Sequence, residues 1–312
     1  MQVVHLKDYG FVPDIIGTSC TNSIQLKDLD FRVPCGKCLP CQKKRRSEWS
    51  LRLEHEYMFS DSAFFITLTY NDESLPRTKH GYPTLVKKHV QDYIKRLRNA
   101  HVAYLKKEQE KVSNDFKIKG KPIRYYAVGE YGSQTRRPHY HLLLFNYDIA
   151  NISPFTSKWK NTQTQMSYGH VDVGTVTSAS INYVTKYMFK DFNKKTDKRQ
   201  SPFSLMSKKP IIGHEYLVQY GTHHIANETL EVRDQNGGLR RIPKAYLRRL
   251  FTNKEDRRQI SKKSHDEFIK SKMKRYEKKV LKYYKGDSIA YERSLEHDLN
   301  RLRNNINYKE TI

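Results

Sequence analysis

The alternation of strand and helix patterns predicts an α+β fold in the order βαββαβ: a ferredoxin-like antiparallel sheet with helices on one face. Three observations give that order. Residues 63–70 are aromatic and β-branched and end on polar Asn71, Asp72 and Glu73, a strand signature. Val86, Val90, Tyr93, Ile94 and Leu97 then recur at helical spacing, with Thr84 as the expected N-cap. Residues 125–132 and 139–145 read as two strands joined by a turn, and a second helix and strand follow them.

The turn-linked pair carries the first chemistry. Side chains alternate along a strand, so His139 and His141 project from one face and Tyr140 from the other. Two imidazoles on one face can bind one metal ion. Glu130 lies nine positions before His139, so pairing of the two strands lets its carboxylate reach the same ion. The chain has 13 histidines, and a His-x-His pair alone can be accidental. The carboxylate on the neighbouring strand, Arg136 and Arg137 at the turn, and a tyrosine-bearing helix downstream set this pair apart.

Residues 154–160 suggest a short helix and 169–176 a strand, where His170 alternates with Asp172 as a weaker metal candidate. Residues 178–189 form the second informative element, with Ser178 as its expected cap. Ile181, Val184 and Met188 make a buried stripe. Tyr183, Lys186, Tyr187 and Lys190 fall at i, i+3, i+4 and i+7 on a different face. Two phenols and two ammonium groups therefore line a face the core does not need. The same tyrosine spacing recurs at Tyr216 and Tyr220, where the apolar setting reads as packing. Residues 203–239 read as mixed and strand-rich, and the chain beyond Arg240 as basic and mostly helical.

Composition narrows the partner. The formal charge is +25, from 58 Lys+Arg against 33 Asp+Glu, with 22 tyrosines. That excess points to a polyanion, most simply nucleic acid, and tyrosines among cations suit stacking on bases. The bland alternative is codon bias that enriches Lys, Tyr and Asn together. The start lacks the layout of a signal peptide, and no apolar run approaches membrane-spanning length. Cys35, Cys38 and Cys41 are spaced for a tetrahedral zinc site, with Cys20 as the candidate fourth ligand and His5 as competitor. Four cysteines so placed do not form a secreted disulfide framework, so a reducing cytoplasm is expected. Lys43, Lys44, Arg45 and Arg46 follow and open a basic helix suited to phosphate contact. Three regions result: a Cys-rich segment with its basic helix over 1–60, the sheet domain over 61–215, and a basic helical region over 216–312.

With these residues assembled, the chain resembles the HUH endonuclease superfamily, and more closely the rolling-circle replication initiators of gokushovirus-type microviruses. Residues 64–70 match the first strand motif. Gly129-Glu130-Tyr131-Gly132 with Arg137-Pro138-His139-Tyr140-His141 matches the metal motif, and Asn182-Tyr183-Val184-Thr185-Lys186-Tyr187 the tyrosine motif. The resemblance covers about residues 30–215. It departs at Tyr140, where the superfamily has a bulky aliphatic; the position faces the core. The resemblance implies Mg²⁺ or Mn²⁺ held by Glu130, His139 and His141, Tyr183 and Tyr187 as nucleophiles, Lys186 beside them, and Arg136, Arg137 and Lys190 as DNA contacts. It implies single-stranded and origin DNA and the host replication machinery as partners, in the cytoplasm of a bacterial host. The rival from another class is a zinc-dependent DNA-binding regulator without catalysis, which leaves the ligand strand and the tyrosine helix unexplained.

Overall fold

The computed structural model describes residues 20, 22–25, 32–112, 120–148, 150–186, 198–234 and 237–287, with a few positions beyond. Its strands are β1 (Ile24–Gln25), β2 (Arg32–Val33), β3 (Ala63–Thr69), β4 (Arg124–Tyr131), β5 (Pro138–Phe145), β6 (Val171–Thr175), β7 (Phe203–Met206), β8 (Glu231–Arg233) and β9 (Leu239–Arg241). Its helices are α1 (Leu39–Met58), α2 (Lys87–Gln109), α3 (Pro154–Ser157), α4 (Ser178–Lys186), α5 (His214–Ala226), α6 (Lys244–Leu250) and α7 (Lys254–Tyr284). Two compact units divide the chain: one is Glu48–His223 with Val232–Pro243, and the other takes in the N-terminal segment, His224–Glu231 and the C-terminal helices.

The first unit holds a five-stranded sheet in the order β6-β3-β5-β4-β7. Every pairing in it is antiparallel. The elements β3-α2-β4-β5-α3-β6 supply the expected βαββαβ order, and β7 adds an edge beside β4.

Both faces of this sheet are covered. On one, Ile66, Leu68, Leu142 and Leu144 pack with Val90, Tyr93, Ile94 and Leu97 of α2 and with Phe155 and Trp159. On the other, Tyr126, Val128, Leu143 and Phe145 pack with Leu53 of α1, Ile181 and Val184 of α4, and Ile212. Helices on a single face would account for α2 and α3 alone. The cause of the second layer is the run Leu142-Leu143-Leu144-Phe145, which is apolar at successive positions and so demands cover on both sides.

Three local expectations are corrected. Thr84 does not cap α2: the cap position is Val86, without a side-chain hydrogen bond. Thr84 Oγ1 instead accepts from the Gln200 amide at 3.0 Å. The cap of α4 is Thr177 rather than Ser178: Thr177 Oγ1 accepts from the Ser180 amide at 3.2 Å while Ser180 Oγ accepts from the Thr177 amide at 2.8 Å, a reciprocal capping arrangement. The strand-rich reading of 203–239 is interrupted by α5, where the Tyr216 ring stacks on His55 at 3.8 Å, so tertiary packing overrides local strand preference.

Tyr140, between the two histidines, is fully buried. Its hydroxyl lies 2.9 Å from that of Tyr70 and accepts from the Val86 amide at 2.8 Å. The Tyr70 hydroxyl continues to His89 Nδ1 at 2.8 Å. A tyrosine fits where an aliphatic was expected because this chain of partners satisfies its oxygen. Burial pushes the His89 pKa down to about 4. The unfolded chain takes up a proton near pH 6.5 that folded His89 refuses until about pH 4. Stability therefore falls as pH drops through that window, and urea unfolding at about pH 7 and about pH 5 should show a smaller loss in His89→Gln than in the parent chain.

Candidate active site

Strand register gathers the histidines and Glu130 on one face. Glu130 pairs with His139, and Val128 with His141. On the other side of β5, Thr67 pairs with His141 and Thr69 with His139. Directly opposite residues share a face, so Glu130, Thr67, Thr69 and both histidines look the same way, toward the layer of α1 and α4.

His141 is the hub. Its Nε2 lies 3.1 Å from Glu130 Oε1, both side chains being almost wholly buried. Its Nδ1 lies 3.1 Å from Thr67 Oγ1. A threonine hydroxyl both donates and accepts, so it fixes the ring in either tautomer. The ring stacks parallel to Phe65 with centroids 5.7 Å apart. Thr67 and Phe65 are the site residues that sequence reasoning missed; their only signal was alternation on β3 opposite the metal motif.

His139 stands in register with Glu130 but its ring lies over Gly132, where an added Cβ would come within 3.0 Å of His139 Nε2. Glycine at 132 is thus the space the ring occupies. Burial, with nearby His141 adding to it, lowers the His139 pKa, which keeps a neutral nitrogen lone pair at neutral pH. Gly129 serves the opposite face, since a Cβ there would meet the Phe203 ring at 2.9 Å.

Helix α4 brings Tyr183 to the hub. The Tyr183 hydroxyl lies 3.5 Å from His141 Nε2, and its ring meets that of His141 edge-on at 5.0 Å. Tyr183 is 40% exposed, so the phenol is reachable from solvent while Ile181 and Val184 anchor the helix beneath it. The neighbouring Asn182 Oδ1 lies 3.3 Å from Ser50 Oγ, which also donates to Glu54 at 2.7 Å. Arg240 closes that chain onto Glu54 at 3.0 Å. Lys186 ends α4 with its side chain exposed. Tyr187, Met188 and Lys190 lie outside the described residues.

At the turn, Arg136 adopts φ 53° and is exposed, an uncommon backbone state for a non-glycine residue. Arg137 donates to Asp72 Oδ1 at 2.5 Å and to the Tyr70 carbonyl at 2.9 Å. Its guanidinium thereby ties the β4–β5 turn to the end of β3. His170 contributes through its backbone, its carbonyl accepting from the Thr69 amide at 3.0 Å.

A 3.1 Å separation between Glu130 Oε1 and His141 Nε2 is close to the edge of an octahedron with bonds of about 2.1 Å. These two atoms therefore fit a shared Mg²⁺-like or Mn²⁺-like ion, with His139 on the same face. Among the described residues, only the four cysteines are a set of three or more such side chains with all donor atoms gathered: Cys20, Cys35, Cys38 and Cys41 lie within 4.8 Å of one another. Cys20 is thus the fourth member, and His5 lies outside the described residues. Cys35 Sγ accepts from the Cys38 amide at 3.3 Å and from the Lys37 amide at 3.4 Å. These amides, that of Cys38 first, lower the Cys35 pKa. Burial pushes Cys41 up to about 12 and raises Cys20 as well. A cation inverts that preference by binding thiolates. Sulfur atoms around one zinc at about 2.3 Å stand about 3.8 Å apart, so the set can hold a metal such as zinc.

Comparison with known proteins gives this geometry a context. The family described as replication-associated protein ORF2 matches residues 63–192, the span that holds both the ligand strands and the tyrosine helix. Replication-associated protein VP4 of Bdellovibrio phage phiMH2K is 29% identical over 306 residues, 95% of this chain and 86% of that protein. The matches support a microvirus replication initiator. Replication-associated protein ORF2 of Spiroplasma virus 4 is 28% identical over 80% of this chain and 75% of its own length. Replication-associated protein ORF4 of Chlamydia phage 1 is 25% identical over 73% of this chain and 56% of its own length. No solved structure matches. No helix among the described residues is long and apolar enough to cross a membrane.

Proposed function

We propose that the protein initiates phage DNA replication by nicking and rejoining a single strand at the origin, with a tyrosine as nucleophile. The observation that carries this reading is the convergence on His141 Nε2 of Glu130 Oε1 at 3.1 Å and the Tyr183 hydroxyl at 3.5 Å. A buried histidine kept only for packing needs neither a buried carboxylate nor a half-exposed phenol beside it.

In this reading the Tyr183 phenol oxygen attacks the scissile phosphorus and forms a P–O bond. The bond to the 3′-oxygen breaks, and the proton lost by the phenol is balanced by one gained at the 3′-hydroxyl. The product is a 5′-phosphotyrosine with a free 3′ end that can prime a polymerase. Because one phosphodiester replaces another, rejoining needs no ATP. A free phenol has a pKa of about 10 and needs a cationic setting, to which Lys186 contributes. Glu130, His139 and His141 would hold Mg²⁺ or Mn²⁺, which when bound polarises the phosphate as a Lewis acid. Tyr187, one helical turn beyond Tyr183, is the second nucleophile, able to cut a regenerated origin while the first holds the parental 5′ end. Arg136, Arg137 and Lys190 are the DNA-backbone contacts, the host replication machinery is the partner, and the bacterial cytoplasm the site of action.

The test is nicking of single-stranded DNA from the parent genome with Mn²⁺, with chelator and with Glu130→Gln. Cleavage only with the ion, and its loss in Glu130→Gln, is expected; DNA binding without any ion-dependent cleavage would sink the reading. The cysteine set gives the rival regulator its footing, and here it is read as a structural zinc site. Purified protein should carry about one zinc per chain by mass spectrometry of the metal, lost in Cys38→Ser together with a cooperative unfolding step.

A further inference from the structure

We propose that α7 is a second DNA contact, a ladder of lysines that grips the phosphate backbone independently of sequence. The helix runs for 31 residues with a net excess of basic side chains. Ile260 and Val280 are its apolar residues that count as buried among the described side chains. A helix polar nearly all round is not held by an amphipathic face.

The charges divide along its length. Toward the N-terminus they are neutralised within the protein: Arg258 pairs with Glu255 at 3.6 Å and Lys263 with Glu228 at 2.6 Å. Further on, Lys270, Lys274, Lys278 and Lys282 recur every fourth residue and are all exposed, and none is in an ion pair among the described residues. Each step is about 6 Å along the axis, so the four span about 18 Å. Like charges at this spacing destabilise a helix. The helix dipole offsets that only within the last turn, which reaches Lys282 but not Lys270 or Lys274. Folding therefore does not account for the ladder, whereas a polyanion does.

Two exposed apolar residues flank the last rung, Leu281 and Tyr283, and Lys282 Nζ lies 5.1 Å from the centre of the Tyr283 ring. A flat aromatic beside a cation suits a base or sugar next to a phosphate. An acidic protein would need its own matching row of carboxylates; DNA supplies a regular row in any sequence. The choice of DNA as the polyanion rests on the function proposed above, while the ladder itself does not.

The experiment is a salt titration of binding to duplex and single-stranded oligonucleotides, read by fluorescence anisotropy in chelator so that no cleavage occurs. The full chain is compared with Lys270→Gln, Lys274→Gln, Lys278→Gln and Lys282→Gln combined. A control chain carries Gln at four other exposed lysines, Lys79, Lys95, Lys106 and Lys107. Loss of the ladder should make the slope of log K against log salt shallower by about 3 to 4 for duplex and about 3 for single strands. Affinity at about 50 mM salt should fall by at least about tenfold, with a thermal midpoint unchanged or raised. The control set should move the slope by no more than about 1. An unchanged slope, or an equal change in both variants, overturns the ladder. Because no chemistry is read, failure of the nuclease assay would leave this result interpretable.

Discussion

His141→Ala is expected to lower ion-dependent nicking by about 10³-fold or more. The ring touches everything the chemistry needs: Glu130 and Tyr183 at Nε2, Thr67 at Nδ1, and the face of Phe65. A metal held at this point contributes several kcal/mol to transition-state charge stabilisation, and each ~1.36 kcal/mol is tenfold in rate. Thr67→Val keeps the shape of β3 and removes only the hydroxyl that orients the ring. Changes to such supporting partners cost about 10–100-fold, so Thr67→Val should fall between His141→Ala and the parent chain. The check is single-turnover nicking on folded protein, normalised by its thermal melting profile. If His141 merely packs, both variants would lose melting temperature and nick at the parent rate.

Arg124→Met should cost about 3–5 kcal/mol of stability, the range for removing one partner of a buried ion pair. Arg124 and Glu56 are both buried to less than a tenth of their exposure. Arg124 Nε donates to Glu56 Oε1 at 2.6 Å, and its two terminal nitrogens donate to the Pro210 and Ile211 carbonyls, each at 2.8 Å. The other Glu56 oxygen accepts from the Gly213 amide at 2.6 Å. The guanidinium thus clamps the start of β4, α1 and the segment before α5, and its loss strands a buried carboxylate. Urea unfolding should recover a large part of the loss in Arg124→Met with Glu56→Gln, because the stranded charge is then gone. Equal stability of Arg124→Met and the parent chain would show that the pair contributes nothing.

The parts of this fold legible in the sequence are those where one pattern decides. β3 and β5 read correctly because β-branched and aromatic residues bounded by polar turns leave no competing helix. His139 and His141 could be assigned one face because alternation on a strand is geometric. Glu130 needed the hairpin, since only the register that pairs it with His139 converts nine residues of sequence into adjacency. Thr67 was not legible: threonine is ordinary in a strand, and its role comes from lying opposite His141. Cys20 stands fifteen residues before Cys35, and only the folded chain brings its sulfur to the Cys35 amide at 3.2 Å. α5 was missed because Tyr216, Leu217, Val218 and Tyr220 favour strands locally, and the stacking partner His55 that holds them comes from α1. The second helical layer was missed for a related reason: a fully apolar strand says that both faces are buried without saying by what.

The most direct measurement of the central claim is covalent. Protein, Mn²⁺ and single-stranded origin DNA are mixed and resolved by denaturing electrophoresis, for the parent chain, Tyr183→Phe, Tyr187→Phe and the double variant, with the modified peptide identified by mass spectrometry. The expected result is an adduct on Tyr183 that weakens in Tyr183→Phe and vanishes in the double variant. An adduct that persists in the double variant, or none from any variant that still binds the DNA, would contradict tyrosine transfer at this site.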